Sequence, residues 1–356
     1  MQKSFGIQDL PTVPEGKKGW PWTEQAPSFF EQGSEKLNLP LISVLIPSYN
    51  YGQFIEETIR SVLLQSYRNI ECIIIDGGST DNTIDIIKKY ERYLSYWESQ
   101  PDKGQTDAIN KGYAYCTGDI FVWLCADDFY YGPDILQKVA KLYLDGYNFI
   151  AGQAYNINVD GTYRYEAITA DGKPSPTHFN KYLRYWSSTF LQQPAVFVAK
   201  DLADSCFPLD IELNCAMDYQ FFLRVLKHKP NSIWIPERFV KVRWHELSKS
   251  TSGGLNSIQV DTKLLEEKPP ELHYVALAEA KVSLNALQFL THKIQAFDNL
   301  HLSKVFPDAQ NLISSWQLLW HASKRPTVLH WPRFWKLLFR KLLGTEAYTR
   351  LKKFGF

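Results

Sequence analysis

The sequence predicts an α/β fold in which a mainly parallel sheet is covered by helices on both faces. Three apolar runs, beginning at Ile42, Ile70 and Ile120, each break into a polar loop, and segments with helical spacing of apolar residues lie between them. Continuous apolar runs are typical of strands buried on both faces. Alternation of such strands with helices is typical of a parallel sheet.

The spacing of apolar residues predicts the strands and helices along the chain. Strands are predicted at about residues 42–46, 70–75, 94–97 and 120–124, and helices at about 55–63, 84–87, 106–115 and 133–142. Pro133 stands at the first-turn position that proline favours in a helix. Between Phe149 and Tyr165, Asp160-Gly161 joins two alternating runs, which predicts a β-hairpin.

Composition divides the chain into three regions. Residues 1–39 contain several prolines and aromatics without periodicity, and we expect an N-terminal extended arm that lies on the main domain. Residues 40–252 carry the strand–helix alternation and form that domain. Residues 253–356 are predicted to be a helical C-terminal extension with a basic amphipathic tail, because nine Lys and Arg residues from Lys324 onward stand against Glu346 alone.

The bulk composition describes an ordinary folded protein. The 356 residues are 45% hydrophobic and carry a formal net charge of +1. The five cysteines are odd in number, include no Cys-x-x-Cys and mostly lie inside apolar patterns, which predicts buried thiols in a reducing compartment. The start of the chain does not resemble a secretory signal, and no apolar run is long enough to span a bilayer. A cytoplasmic location is therefore expected.

Two adjacent carboxylates, Asp127 and Asp128, follow the apolar run of the fourth predicted strand. Mg²⁺ and Mn²⁺ usually bind through one or two carboxylates and keep positions for substrate phosphates. Acids in a solvated turn are the alternative. In an open α/β sheet, ligands lie outside the carboxyl ends of the strands, so the polar residues after the three long strands are expected to share one crevice. The sequence therefore predicts a nucleotide-type site.

Five motifs occur in one order between residues 41 and 250. They are Pro47-Ser48-Tyr49-Asn50, Asp76-Gly77-Gly78-Ser79-Thr80-Asp81, Gly104-Gln105-Thr106-Asp107-Ala108-Ile109-Asn110-Lys111-Gly112, Asp127-Asp128 and Ala216-Met217-Asp218-Tyr219. In these motifs the chain resembles the family 2 glycosyltransferases, which have the GT-A fold with a Rossmann-like sheet. The resemblance implies an inverting enzyme that uses Mn²⁺ or Mg²⁺ and moves a sugar from a nucleotide diphosphate-sugar to a glycan or lipid-linked saccharide acceptor. The sequence lacks the Gln-x-x-Arg-Trp motif of processive synthases, which favours a single addition.

The resemblance also implies the chemical roles at the reacting centre. Asp128 is the expected metal ligand, and Asp127 is expected to contact the ribose or sugar and to share the metal. Asp218 is the expected catalytic base, which takes the proton of the acceptor hydroxyl; a helix cap is the alternative. His245 would complete the metal shell or touch the diphosphate, with a purely structural histidine as the alternative.

A second group of residues is expected to bind the donor. Tyr49 resembles the residue that stacks on the nucleobase, and a core tyrosine is the alternative. Asp76 would bond the base or ribose, or else cap the following helix. Asp107 is equally compatible with a ligand contact and a helix N-terminal role. The full set expected to bind the nucleotide-sugar is Pro47, Tyr49, Asp76, Asp107, Asn110, Asp127 and Arg243.

The chain departs from the commonest family pattern at two positions. Gly77 stands where the family often has a second acid that reads the base, so a preference for uracil is not implied. Ile109 stands where many members have an arginine, so another cation must hold the diphosphate, and Lys103, Lys111 and Arg243 are available.

The tail is a second functional signal. From His330 to Leu343 the chain mixes Trp, Phe and Leu with cations, as interfacial amphipathic helices do. This predicts a peripheral contact with the inner face of the plasma membrane, and a helix packed on the body is the alternative. No nucleic-acid-binding module accompanies the charge, so no nucleic-acid partner is expected. A degenerate glycan-binding or membrane scaffold protein and a sugar nucleotidyltransferase are the alternative functions.

Overall fold

The computed structural model describes residues 5–25, 39–166, 191–211 and 217–246 and the single positions 248, 335 and 342. The chain divides into two compact units, residues 1–252 and residues 253–356. The rest of the arm, the segment 167–186 and the predicted C-terminal helices lie outside the described residues. Among the described residues, no helix has both the length and the apolar character needed to cross a membrane.

Nine strands and six α-helices form the described part of the first unit. The strands are β1 Ile42–Ser48, β2 Ile70–Asp76, β3 Tyr96–Ser99, β4 Ile120–Trp123, β5 Phe129–Tyr130, β6 Phe149–Asn158, β7 Tyr163–Glu166, β8 Val196–Ala199 and β9 Ser232–Trp244. The helices are α1 Ile55–Leu63, α2 Thr83–Tyr90, α3 Gln105–Tyr113, α4 Ile135–Leu144, α5 Lys200–Asp204 and α6 Met217–Lys227.

The strands form one sheet in the order β3-β2-β1-β4-β8-β6-β9-β5, with β7 paired to β6. The first four strands in this order are parallel, as predicted. Beyond β4 the sheet is mixed: β8 is antiparallel to β4 and β6, whereas β6 and β9 are parallel. The predicted hairpin is confirmed as the antiparallel pair β6–β7.

Helices cover both faces of the sheet. On one face, alternate residues of the central strands join the buried faces of α1, α2 and α4; examples are Val44, Ile59 and Val139, each 0% exposed. On the other face, Trp123 packs against Phe221 of α6 with ring centroids 5.3 Å apart. The central strands are therefore buried on both sides, which explains their unbroken apolar sequences.

The sheet splits where the polar loops begin. Strand β1 pairs with β2 as far as Ser48 and Asp76, but it pairs with β4 only as far as Leu45 and Trp123. The pairing of β1 with β4 therefore ends three residues before β1 itself ends. The loops after β1, β2 and β4 begin at the same edge of the sheet, the carboxyl ends of its parallel strands, which is where open α/β sheets bind their ligands.

Gly112 lies where α3 crosses the sheet. A Cβ atom at this position would lie 2.2 Å from Leu45 Cδ1 and 2.8 Å from Ile75 Cγ1. We expect Gly112→Ala to lower the free energy of unfolding by about 1–3 kcal/mol through overpacking, partly offset by about 1 kcal/mol of helix propensity. Urea denaturation measures the change. Gly132→Ala is the control, because its Cβ would make an ordinary contact at 3.6 Å; equal effects of the two changes would contradict the packing argument.

Candidate active site

The carboxylates Asp127 and Asp128 lie in a tight loop between β4 and β5. The Asp128 N–H donates to the Cys125 carbonyl at 3.0 Å, which closes a turn. The Thr58 hydroxyl of α1 lies 2.9 Å from the Ala126 carbonyl and 2.7 Å from the Asp128 carbonyl. One side chain thus ties both ends of the acidic loop to the helix that follows β1.

Arg243, at the end of β9, contacts both acidic residues. Its backbone N–H donates to Asp128 Oδ1 at 3.0 Å, and its Nε donates to the Asp127 carbonyl at 3.2 Å. The guanidinium also donates to the Val159 carbonyl at 3.0 Å and pairs with Glu57 at 2.6 Å. The expected phosphate contact, Arg243, is thus a buried residue whose donors face protein oxygens around the loop.

His245 lies beside the first of the two acids. Its Nε2 is 2.9 Å from Asp127 Oδ2, and both side chains are buried. The imidazole packs against the Phe54 ring with centroids 4.8 Å apart and edge-on against Tyr51 at 5.8 Å. The structure therefore places His245 against Asp127, although 118 residues separate the two.

Burial raises the free-energy cost of ionising the acidic pair Asp127 and Asp128. Desolvation raises the pKa of Asp128 well above its usual range, and the Asp127 charge raises it further, while the Arg243 N–H opposes the shift. The pKa of the Tyr51 phenol is raised by burial and then by the charges of Asp127, Cys125 and Asp128. Negative charge on Asp127 and Asp128 is therefore poorly solvated, and a bound cation would lower the free-energy cost of keeping both carboxylates ionised.

Ligand atoms of Cys125, Asp127 and Asp128 lie within 4.8 Å of one another. The Cys125 sulfur accepts a hydrogen bond from Gln105 Nε2 at 3.3 Å and lies 3.8 Å from Gln193 Oε1. Mg²⁺ and Mn²⁺ prefer oxygen ligands, so the two carboxylates are the suitable donors and the sulfur is the less suitable one. The donor set fits a hard divalent cation that keeps positions for phosphate oxygens.

The loop after β2 is organised by Asp76, which is 0% exposed. Its carboxylate accepts hydrogen bonds from the Ser79 N–H at 2.8 Å, the Ser79 hydroxyl at 2.5 Å and the Ser99 hydroxyl at 2.6 Å. The Gly78 N–H adds a fourth at 3.1 Å. Asp76 therefore holds the loop that follows β2 at the carboxyl edge of the sheet, a role close to the capping alternative.

The loop after β1 is joined to the loop after β2. The Asn50 N–H donates to Ser79 Oγ at 2.7 Å, and Asn50 Oδ1 accepts the Thr80 N–H at 2.8 Å. Asn50 has a left-handed backbone conformation with φ of 57°, which asparagine tolerates. Pro47 is buried within β1, whereas the neighbouring Tyr49 side chain is 57% exposed. Tyr49 therefore presents an exposed aromatic ring next to the joined loops, and it is not a core tyrosine.

The carboxylate of Asp102 lies where a side chain on Gly77 would be. A Cβ atom on Gly77 would lie 2.7 Å from Asp102 Oδ2, and Asp102 Oδ1 accepts the Gly104 N–H at 2.7 Å. Burial raises the pKa of Asp102. The departure from the family pattern at Gly77 thus makes room for the carboxylate of Asp102.

The α3 motif has a largely structural arrangement. Asn110 Nδ2 donates to the Leu209 carbonyl and Asn110 Oδ1 accepts the Leu209 N–H, each at 2.8 Å. Asp107 accepts the Lys103 N–H at 3.0 Å and pairs with Lys111 at 3.2 Å, and the Lys103 N–H holds the pKa of Asp107 below its usual range. Asp107 thus makes a helix N-terminal contact at the first turn of α3.

Asp218 lies in the first turn of α6, as the sequence predicts. One turn further along, Phe221 and Phe222 pack on the ring of Trp123, the last residue of β4. Helix α6 is thereby anchored to the strand that leads into the acidic loop.

Several residues of these loops and of α1 belong to no motif in the sequence. Glu57 and Thr58 are polar positions of α1, and Asp102 follows the short strand β3. The expectation of buried thiols holds for Cys72, Cys116 and Cys206, whereas Cys125 is half-buried. The sequence signal for Cys125 is its position two residues before Asp127, just after β4.

Comparisons with known proteins identify the class. The family model described as glycosyl transferase family 2 matches residues 43–207. An uncharacterized glycosyltransferase of Mycobacterium tuberculosis, Rv1514c, is 30% identical over 186 residues, which cover 52% of this chain and 68% of that protein. An uncharacterized glycosyltransferase of Rickettsia typhi, RT0329, is 27% identical over 222 residues, covering 62% of this chain and 69% of that protein. The chain belongs to glycosyltransferase family 2.

Solved structures show the same fold. The crystal structure of S. aureus TarS 1–349 matches with a TM-score of 0.54 and 16% identity, covering 85% of this chain and 92% of that one. The structure of TarS 1–349 in complex with UDP matches with a TM-score of 0.55 and 14% identity over the same shares. The predicted GT-A fold is confirmed, and the chain is a glycosyltransferase.

Proposed function

We propose that the protein is an inverting glycosyltransferase that moves a single sugar from a nucleotide diphosphate-sugar to a glycan or lipid-linked saccharide. The observation that carries this proposal is the pair of buried carboxylates, Asp127 and Asp128, in the loop that follows β4. Membership of family 2 supplies the reaction class. The acidic pair supplies the means of handling a diphosphate leaving group.

The donor would lie across the carboxyl ends of β1, β2 and β4. Tyr49 offers its exposed ring to the nucleobase, and the Asp76 loop borders the nucleoside. A TarS structure of the same fold holds UDP, which supports a nucleoside diphosphate as the common part of the donor. Since the guanidinium of Arg243 is paired with Glu57 and the ammonium of Lys111 with Asp107, the exposed Lys103 just before α3 is the better candidate for a phosphate contact.

Asp128 and Asp127 would hold the divalent cation, Mn²⁺ or Mg²⁺, with His245 orienting Asp127. When bound, such a cation acts as a Lewis acid on the diphosphate leaving group. The His245–Asp127 bond of 2.9 Å fixes the direction of the carboxylate, as outer-shell partners of metal ligands commonly do. Asp218 would accept the proton of the acceptor hydroxyl while the sugar is attacked from the face opposite the diphosphate.

The acceptor side involves the C-terminal tail in this proposal. The cations and aromatics between His330 and Leu343 suit a membrane surface, where lipid-linked saccharides and growing polysaccharides are elongated. The two described tail positions, Trp335 and Leu342, are helical and 41% and 58% exposed. Polysaccharide biosynthesis on the cytoplasmic face of the plasma membrane is the setting we propose.

The stacking role of Tyr49 can be tested on binding alone. We expect Tyr49→Ala to raise the Kd for the nucleoside diphosphate about 5- to 150-fold, because stacking of a base on an aromatic ring contributes about 1–3 kcal/mol. Tyr49→Phe keeps the ring and should bind like wild type. Because the side chain is 57% exposed, the thermal midpoint should stay unchanged. Wild-type affinity of the alanine variant would exclude stacking.

The proposed donor class is tested by calorimetric titration of wild type with UDP, GDP, dTDP and CMP, each with Mn²⁺ and with chelator. We expect one nucleotide to bind, and to bind more tightly with Mn²⁺, since the cation joins the carboxylates to phosphate oxygens. Absence of binding by all four nucleotides under both conditions would favour a degenerate glycan-binding or scaffold protein.

A further inference from the structure

Residues 5–25 precede the region that the family model matches, which begins at residue 43. They are held along α1 by Arg60, whose side chain is 0% exposed. The Arg60 guanidinium donates to the carbonyls of Pro11 at 3.1 Å, Pro21 at 3.2 Å and Trp22 at 3.1 Å. A buried cation must find such partners, so these bonds fix the course of the arm against the helix.

Two tryptophans of the arm reach the elements that carry the acidic loop. The Trp20 Nε1–H donates at 2.8 Å to the carbonyl of Tyr130, two residues after Asp128. The Trp22 ring is 4% exposed, and its Nε1–H donates at 3.1 Å to Glu57 Oε1. A buried indole needs a partner for its N–H, and here the partner is a charged side chain of α1.

Glu57 is shared between the arm and the site. Its other oxygen, Oε2, lies 2.6 Å from Arg243 Nη2, and the two side chains are 15% and 6% exposed. A buried ion pair depends on good geometry and on hydrogen bonds to its remaining atoms. Trp22 supplies such a bond to the carboxylate, so it helps to fix the orientation in which Glu57 meets Arg243.

Arg243 in turn fixes both acids. It contacts Asp128 Oδ1 through its backbone N–H at 3.0 Å and the Asp127 carbonyl through Nε at 3.2 Å. A continuous series of hydrogen bonds therefore runs from Trp22 through Glu57 and Arg243 to Asp128. The same helix also holds the loop through Thr58, next to Glu57 in the sequence.

We propose that the arm of residues 5–25 is a positioning element of the carboxylate site, acting through Trp22 on Glu57 and through Glu57 on Arg243. This inference rests on the proposed function, because it takes Asp127 and Asp128 as the ligands of the cation. Trp22 and Glu57 act through other side chains and are positioning residues. An arm that served stability alone would change the thermal midpoint without changing the site.

The test compares Trp22→Phe, Glu57→Gln and their double variant in the full chain. Trp22→Phe removes the N–H donor and keeps an aromatic ring. Tyr93→Phe is the matched control, because the Tyr93 hydroxyl bonds the Asp9 carbonyl of the same arm at a place that does not contact Glu57. Each variant is measured for its Kd for Mn²⁺ alone, for its thermal midpoint and, without metal, for the ¹⁵N chemical shifts of His245 assigned with His245→Gln.

We expect Trp22→Phe to raise the Kd for Mn²⁺ about tenfold, as changes in outer-shell partners of metal ligands commonly do. The same variant should shift the ¹⁵N resonances of His245. Tyr93→Phe should change neither, even if it lowers the thermal midpoint equally. The double variant should match Glu57→Gln within about twofold, because coupled residues act non-additively. Wild-type Kd and wild-type His245 shifts in Trp22→Phe would overturn the proposal. If wild type itself fails to bind Mn²⁺, the metal site is refuted, and the His245 shifts alone still decide the role of the arm.

Discussion

Asp218→Asn is expected to lower kcat for sugar transfer by about 10²–10⁴-fold, the usual contribution of a general base. The amide has nearly the shape of the carboxylate but cannot take the proton of the acceptor hydroxyl. The Kd for the nucleoside diphosphate should remain that of wild type, because the proposed base acts on the acceptor. Steady-state kinetics with saturating donor, together with a nucleotide titration, separates the two effects.

Asp201→Asn is the matched control for Asp218, because Asp201 is an exposed acid in the first turn of the short helix α5. If Asp218 only supports the first turn of α6, the two variants should lose similar stability and keep similar kcat. A loss of kcat confined to the Asp218 variant supports the role of Asp218 as the catalytic base. Full activity of Asp218→Asn would exclude it.

Asp128→Asn is expected to abolish the response to Mn²⁺ and to lower turnover by about 10³-fold, since metal stabilisation of a leaving group contributes several kcal/mol. The metal-free variant should nevertheless be more stable than metal-free wild type at neutral pH. Burial and Asp127 raise the pKa of Asp128, so the folded chain keeps this proton to a higher pH than the unfolded chain does. Ionisation of Asp128 therefore costs stability as the pH rises above the usual aspartate range.

Thermal unfolding with and without Mn²⁺ measures both effects of the Asp128 change. Each 1 kcal/mol by which Asp128→Asn stabilises the metal-free protein should raise its thermal midpoint by about 2–4 °C in a domain of this size. Added Mn²⁺ should stabilise wild type but not the variant. Asp134→Asn, at a partly exposed acid that pairs with Lys138 at 3.0 Å, controls for loss of a surface charge. A variant that still gains stability from Mn²⁺ would place the cation elsewhere.

The central strands and the acidic loop could be predicted because their signals are local. Strands β1, β2 and β4 are buried on both faces, so their apolar runs are unbroken, and the loop of Asp127 follows one of them directly. The mixed half of the sheet gave weaker signals. The long strand β9 pairs with β6 through two register shifts, and Pro236 interrupts its apolar pattern, so no strand was expected there.

The partners of polar residues could not be read from the motifs. Asn110 stands in a motif that resembles a ligand-binding one, yet its amide is bonded to the backbone of Leu209, 99 residues away. Glu57 and Arg243 are 186 residues apart and form a buried ion pair. A charged residue on a helix has the same local pattern whether it faces solvent or a distant partner, so only the folded chain distinguishes the two.

In the proposed function, Asp127 and Asp128 hold the divalent cation on which sugar transfer from a nucleotide diphosphate-sugar depends. The most direct test is nucleotide release by wild type from a panel of UDP-, GDP-, dTDP- and CMP-sugars, with Mn²⁺ and with chelator, in parallel with Asp128→Asn. We predict release from one donor that requires Mn²⁺ and is lost in the variant. Release from a donor at equal rates with chelator, or in Asp128→Asn, would contradict the claim.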